Sequence, residues 1–269
     1  MNYKLPIVFS LAMISFPTMA GSTMLTELEA GDAWLHTSFS TTNIDIDVTA
    51  QSDGSKGKQD TSTDDFGIAF ITGLDESDGI TPLLGASVLS YKSEGEDVTE
   101  FDLSAGALFK TQDQRTIAVQ AAYTGSSNTK EARESFSTRL DVQTSQVESS
   151  IYNRFTISAL RMSKAEGESG GHRVSISNDT RFQLNPTLDI VATVGMAIIS
   201  DLKRPDQIAL SYDPAFNLGI KLEVNLAPSI TVMIAAINQF GDGVIDNAGQ
   251  NFDFSHNSTL VGASLITRF

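Results

Sequence analysis

The sequence predicts an all-β chain, a closed antiparallel β-barrel of about twelve strands, from three observations. From Asp32 onward apolar residues recur at every second position between clusters of turn residues, and no stretch keeps a helical period. The connections sort by length along the chain, short on one side and longer on the other. The final stretch, 258–269, sets Val261, Ala263, Leu265, Thr267 and Phe269 on one face against Gly262, Ser264 and Arg268 on the other. A strand has period two, so such a stretch shows one face to apolar surroundings and a wetter face to the other side; Leu260 and Ile266 are the exceptions.

The beginning of the chain adds an address. Residues 1–20 read as a secretory signal peptide, with Lys4 as the positive region, an apolar core over 5–16 and Pro17-Thr18-Met19-Ala20 as a small-residue cleavage site. That apolar run is too short to span a bilayer as a helix, which takes about twenty residues. Residues 21–269 then form one exported β domain. The chain has 18 Lys and Arg against 33 Asp and Glu, a balance that excludes a nucleic-acid partner, for which a basic patch would be needed. With no cysteine, no disulfide staples the domain in an oxidising compartment.

Taken in order, the first strand covers 32–48 with Trp34, Phe39, Ile44, Ile46 and Val48, and its apolar parity slips midway, which suggests a bulge or a strand leaving the membrane band. Residues 51–65 are polar and read as a long loop. Phe66, Ile68 and Phe70 alternate in strand two, 75–79 turns, and 80–92 is strand three. Strand four is the cleanest: Phe101, Leu103, Ala105, Ala107 and Phe109 share one face, and Glu100, Asp102, Ser104, Gly106 and Lys110 the other. Its two phenylalanines, eight residues apart, project to roughly 20 Å along a tilted barrel, near the spacing of two aromatic girdles. Strand five carries Ile117, Val119, Ala121 and Tyr123 after a turn at 111–114, and a polar loop follows at 125–133.

Strand six sets Phe136, Thr138, Leu140 and Val142 against Arg139 and Asp141, and strand seven sets Phe155, Ile157 and Ala159 against Tyr152 and Arg154, with a turn at 143–146 between them. After a loop at 166–171, strand eight opposes Val174, Ile176 and Phe182 to Arg173, Asp179 and Arg181. Asn185-Pro186 turns the chain into strand nine, which runs from Leu188 to Ile198. A charged loop, 201–206, leads to strand ten, whose apolar residues from Ile208 to Val224 keep one parity against Lys221 and Glu223. A turn at 225–229 leads to strand eleven, 230–240. A long loop at 241–256 precedes the terminal strand, so the number of strands is even.

Signal, alternation, connection asymmetry and terminal Phe269 together resemble the bacterial (Gram-negative) outer-membrane β-barrels, in particular porin-like proteins of about twelve strands, though no motif selects a subfamily. The resemblance spans the whole of 21–269 and is architectural. It implies a transmembrane barrel in the outer membrane, in contact with lipid and lipopolysaccharide. It also implies recognition of Phe269 by the barrel-assembly machinery and passive transport of a small-molecule solute. One Trp and five Tyr are few for two girdles, so phenylalanine has to serve.

If the apolar faces meet lipid, the opposite faces line the lumen. The candidate pore-lining residues are Glu100, Asp102, Lys110, Arg139, Asp141, Arg154, Arg173, Arg181, Lys221 and Glu223. Arginines of strands six to eight would face carboxylates of strand four, a transverse field in which planar guanidinium groups select acidic solutes. In the alternative, Arg139 and Arg181 pair with Asp141 and Asp179, and the network fills the lumen of a structural or surface-binding barrel.

An outer-membrane lipid hydrolase is a third reading. His256 and Ser258 have suitable spacing, but they share the lumen parity at a loop edge, and Asp253 points to the other face. His172 and Ser175 oppose one another, and His36, with Ser38 and Ser40 on its face, has no acid, so no enzyme is expected. No metal or cofactor is expected either: Asp242, Asp246 and Asp253 lack calcium-loop spacing, and Gly241-Asp242-Gly243 is no phosphate cradle. These are solvated carboxylates, suited to bridging by divalent ions to lipopolysaccharide.

Overall fold

Two-residue alternation becomes strand wherever the chain can pair, and here it pairs all the way round. The computed structural model describes residues 25–93, 96–111, 115–127, 134–144, 151–162, 171–200, 202–203 and 208–269. The expected leader, 1–20, lies outside them, as do much of the connections expected at 111–114, 125–133, 143–146, 166–171 and 201–206.

The strands are β1 (Ala33–Ala50), β2 (Lys56–Gly73), β3 (Ile80–Ser93), β4 (Glu96–Lys110), β5 (Arg115–Ser126), β6 (Ser135–Thr144) and β7 (Ile151–Met162). They continue as β8 (His172–Asn185), β9 (Leu188–Ile199), β10 (Leu202–Lys203), β11 (Ile208–Tyr212), β12 (Ala215–Ala227), β13 (Ile230–Asn247) and β14 (Gln250–Arg268). Each pairs antiparallel with its neighbours. The segments β9 and β10 follow one another along a single stave, as do β11 and β12, since β9 pairs with β12 and β10 with β11. With β14 paired to both β13 and β1, twelve staves close into a barrel. The seam runs from Trp34 opposite Arg268 to Ala50 opposite Phe252, and Ala33 and Phe269 exchange backbone hydrogen bonds of 3.3 and 2.8 Å below it.

The outer surface explains the apolar alternation. Phe39, Phe66, Leu103, Phe136, Leu218 and Ile220 are each more than half exposed, and every stave carries at least one exposed large apolar residue. A water-soluble monomer rarely carries so much contiguous apolar surface; a bilayer is the solvent that suits it. Phenylalanine does supply girdle positions: Phe39 lies opposite Phe66, Phe136 opposite Tyr123, and Phe216 stacks on Phe240 at 6.0 Å. The Phe101 ring lies over Gly125, where a Cβ would fall 2.3 Å from Cζ.

Two expected long loops are strands. Residues 56–65 belong to β2, leaving only 51–55 as a turn, and β13 and β14 continue through most of 241–256 to a two-residue turn at Ala248 and Gly249, both with positive φ. Backbone pairing needs no apolar side chain, and beyond the lipid band both faces of a strand can be polar, so the apolar alternation that marks a strand disappears. The connection asymmetry is therefore one of strand length. The paired arms, β1 with β2 and β13 with β14, rise past the staves beside them.

These arms invert the barrel's polarity. Asp45, Asp47, Lys58 and Asp242 line a hollow of about 390 Å³ on the outer side, while Ile46, Val48, Ile199, Leu210, Ile245 and Phe254 form a buried apolar cluster inside. In β1 the inversion needs no bulge: the register to β2 and β14 is unbroken, and the sequence merely moves its apolar residues to the inward parity. The single apolar face expected along strand ten does need correction. Tyr212 pairs with Gly243 but Phe216 with Phe240, a one-residue register shift at Asp213-Pro214. Proline has no N–H for the ladder, and the extra residue turns the strand over. Ile208 and Leu210 therefore face inward, whereas Phe216, Leu218 and Ile220 face lipid.

Candidate functional site

The site is the middle of the lumen, where charged side chains of β6 to β9 and β12 meet a piece of chain from outside the wall. Before β1, Leu25–Glu27 forms one 3₁₀ turn inside the turn-side mouth. At three residues per turn, Leu25 and Leu28 fall on the same side. Both are buried against Trp34, Ile71, Leu83, Leu108, Ala118 and Ile266, which leaves Thr26 and Glu27 for the polar wall. Thr26 donates to the Gln143 side chain. The segment leaves past Gly73, whose carbonyl accepts from the Gly31 N–H at 3.0 Å. A side chain at Gly73 would collide with it: a Cβ would stand 2.5 Å from the Glu29 carbonyl oxygen and 2.7 Å from Leu28 Cδ2.

Glu27 is gripped from two sides. Its Oε1 lies 2.7 Å from Arg181 of β8, and its Oε2 lies 3.7 Å from Arg268 of β14. Arg181 also donates to Glu223 and to the Tyr152 hydroxyl, stands 3.8 Å from Asp189, and sits 5.1 Å over the Tyr152 ring. Arg268 covers the Trp34 ring at 4.5 Å. Beside this group, Arg154 pairs with Asp179, which also takes Lys221 at 3.3 Å and a hydrogen bond from Thr193 at 2.6 Å. Arg139 pairs with Asp141 at 2.7 Å, and Thr156 donates to the same carboxylate.

Among the described residues, Arg139, Arg154, Arg181, Lys221 and Arg268 thus meet Asp141, Asp179, Asp189, Glu223 and Glu27, five cations with five carboxylates. Balance is what burial demands, because an unmatched charge away from water costs several kcal/mol. A cavity of about 20 Å³ remains where Glu27, Gln143, Tyr152, Arg154, Asp179, Arg181 and Glu223 converge.

All ten sequence-chosen residues lie on the inward register, but they do not form one constellation. Arg139, Asp141, Arg154, Arg181, Lys221 and Glu223 belong to the paired network. The partner of Asp179 is Arg154, directly opposite it across β7 and β8, and not Arg181. Arg173 lies nearer the loop side, opposite Leu160 and Ile199. Lys110 sits at the turn-side rim, 3.7 Å from Glu29.

Glu100 and Asp102 stand on the other wall, with Asp65. Tyr91 donates to Glu100 at 3.0 Å, Ser87 to Asp102 at 2.6 Å and Ser40 to Asp65 at 3.4 Å. Among the described residues no cation lies within ion-pair distance of these three carboxylates. Inward residues of β3 to β8 on the loop side, Ser87, Glu100, Asp102, Ser137 and Ser175 among them, are partly exposed and outline a vestibule, with Val98 buried beside them. Among the described residues, the lumen carboxylates that lack a cation are therefore on the β2–β4 wall, while most of the arginines expected to dominate the lumen are matched.

Sequence reasoning missed Glu27, Gln143 and Asp189, and it placed Tyr152 on the lumen face without giving it a role. The one available signal was the pair Leu25 and Leu28 flanking an acid just before the first strand. His256 and Ser258 are inward, buried and well inside β14, with no loop edge near them. Asp253 is on the outer face and accepts from the Gln51 side chain at 2.6 Å. His256 pairs in register with Gly241 and Ile46, far from a charge-relay arrangement.

No protein-family model matches the chain, and no curated protein matches its sequence. Solved structures do resemble it. An outer membrane channel from Pseudomonas putida F1 superposes with a TM-score of 0.67 at 8% identity, over 90% of this chain and 97% of that one. The toluene transporter TodX of P. putida gives a TM-score of 0.55 at 11% identity, over 96% of this chain and 94% of that one. At such identities the likeness is one of fold: the chain is folded as outer-membrane β-barrels are.

Proposed function

We propose that this barrel is a channel of the bacterial outer membrane for small hydrophilic solutes, closed in the state described by residues 25–28. The observation that carries this reading is how the lumen is blocked. A polar vestibule leads to a constriction completed by a short segment that precedes the barrel wall and is held by one ion-paired carboxylate and two leucines. A segment of that kind can leave without unpairing a strand. The similar solved barrels, described as an outer membrane channel and a toluene transporter, support the class. Exposed Phe269 at the end of the closing strand suits recognition by the assembly machinery, and the acidic outer faces of the arms suit cation-bridged contact with lipopolysaccharide. The function is transport without catalysis.

The small residual cavity and the balanced ion pairs favour a second reading, a barrel with a permanently filled lumen. Single-channel recording in planar bilayers separates the two. Wild type is expected to open rarely, and the double variant Leu25→Asn, Leu28→Asn often. A variant that shows heat-modifiable mobility, and so is folded, yet gives no conductance steps would establish the filled barrel instead.

A further inference from the structure

We propose that Arg181 and Arg268 form a binding site for a carboxylate of the permeating solute, and that Glu27 occupies this site in the closed channel. The inference rests on the channel reading above and names the chemistry that opens it.

The site is built whether or not Glu27 is in it. Tyr152 and Glu223 fix the Arg181 guanidinium through its other donors, and Arg268 sits over the Trp34 ring. The two cations come from β8 and β14, on separate parts of the wall, and each meets a different oxygen of one carboxylate. Planar guanidinium donors recognise the carboxylate itself and are indifferent to the chain that carries it. Glu27 stands at the tip of a single 3₁₀ turn, bordering the cavity of about 20 Å³.

Charge conservation supplies the selectivity. If the segment withdraws alone, Arg181 loses one of its carboxylates and Arg268 its only ion-pair partner among the described residues. The Arg181 side chain is only 10% exposed, so a carboxylate lost there leaves buried positive charge under-compensated, the costly outcome; Arg268, at 39% exposed, loses less because water reaches it. If a solute carboxylate arrives as Glu27 leaves, one anion replaces another and the network stays balanced. A neutral sugar of the same size cannot make that exchange. The acidic side of the vestibule weakens the approach of an anion, but beyond about 8 Å physiological salt screens much of that effect.

Trp34 is the chain's single tryptophan and is buried under Arg268, so its fluorescence reports the exchange. The full chain, folded in detergent, is titrated with glucuronate and in parallel with glucose. Wild type should show a saturable change with glucuronate and none with glucose. Glu27→Gln, which keeps the shape and removes the competing charge, should bind glucuronate about ten- to a hundredfold more tightly, the equivalent of one charge-assisted hydrogen bond. Arg181→Gln should abolish the response. Because that change leaves Glu223 poorly matched and risks misfolding, Arg268→Gln is the second test and should weaken glucuronate binding in a barrel of normal gel mobility.

Equal responses to glucose, or unchanged affinity in Glu27→Gln, would overturn the proposal. Conductance tells the two readings apart. A flat titration in a protein that conducts sinks the carboxylate site and spares the channel. A normal titration in a protein that never conducts sinks the channel and leaves the site standing.

Discussion

Replacing Asp179 by Asn removes one charge and almost no volume from the centre of the lumen. Asp179 accepts from Arg154, Lys221 and Thr193, and the side chains of Asp179, Arg154 and Lys221 are about one-tenth exposed. The asparagine can keep the Thr193 bond, but it leaves two cations facing a neutral group. Losing the anionic partner of buried cations costs about 3–5 kcal/mol, several times the value of an exposed pair. The assay is urea unfolding of the folded barrel in lipid vesicles, followed by Trp34 fluorescence and by gel mobility. Asp179→Asn should lower stability by that amount, and adding Lys221→Met should recover part of it by removing one stranded cation. A loss within about 0.5 kcal/mol of zero, the range typical of surface substitutions, would mean that lumen water solvates these groups and the network is not a buried one.

Two further outcomes follow from the geometry. Gly73→Val pushes a side chain into Leu28 and the Glu29 carbonyl, so it should expel residues 25–28, red-shift Trp34 emission and raise open probability; an unchanged spectrum would refute the close approach at Gly73. Glu100→Gln with Asp102→Asn removes two of the three vestibule carboxylates, with Asp65 the third, that lack a cationic partner among the described residues. The reversal potential in a salt gradient should move towards anions, and an unmoved value would place these carboxylates outside the ion path.

Much of the wall was legible because lipid is a strict solvent. In β4, Phe101, Leu103 and Phe109 must face hydrocarbon and Glu100, Asp102 and Lys110 cannot, so side-chain chemistry alone fixes the facing. Above the lipid that constraint lapses. Lys56 to Asp64 pair with β1 through the backbone while their side chains show no apolar alternation, and the stretch reads as loop. The face change at Asp213-Pro214 was hidden for a related reason. The apolar parity from Ile208 to Val224 is unbroken in sequence, and only the register to β13 reveals the extra residue.

The inward register of the charged residues was equally readable, but their partners were not. Arg139 and Asp141 lie two apart on one strand and could be paired by inspection, whereas Arg154 meets Asp179 only because the β7–β8 pairing sets them opposite. Glu27 left only its flanking leucines as a sign, since a short turn docked by Leu25 and Leu28 carries no periodicity to read.

The seam between β1 and β14 has a consequence for how the chain comes to be assembled. It holds seventeen residue pairs, against ten between β6 and β7, and it joins the first strand to the last. Contacts so distant along the chain cannot form until synthesis and export are complete, and they repay the entropy of ring closure only at the end. Until then both margins stand bare, each with a long row of unsatisfied amide and carbonyl groups ready to template on another chain. A closing ladder this long is thus a hazard before closure, and the precursor should need an escort that keeps those two margins apart from every strand except one another.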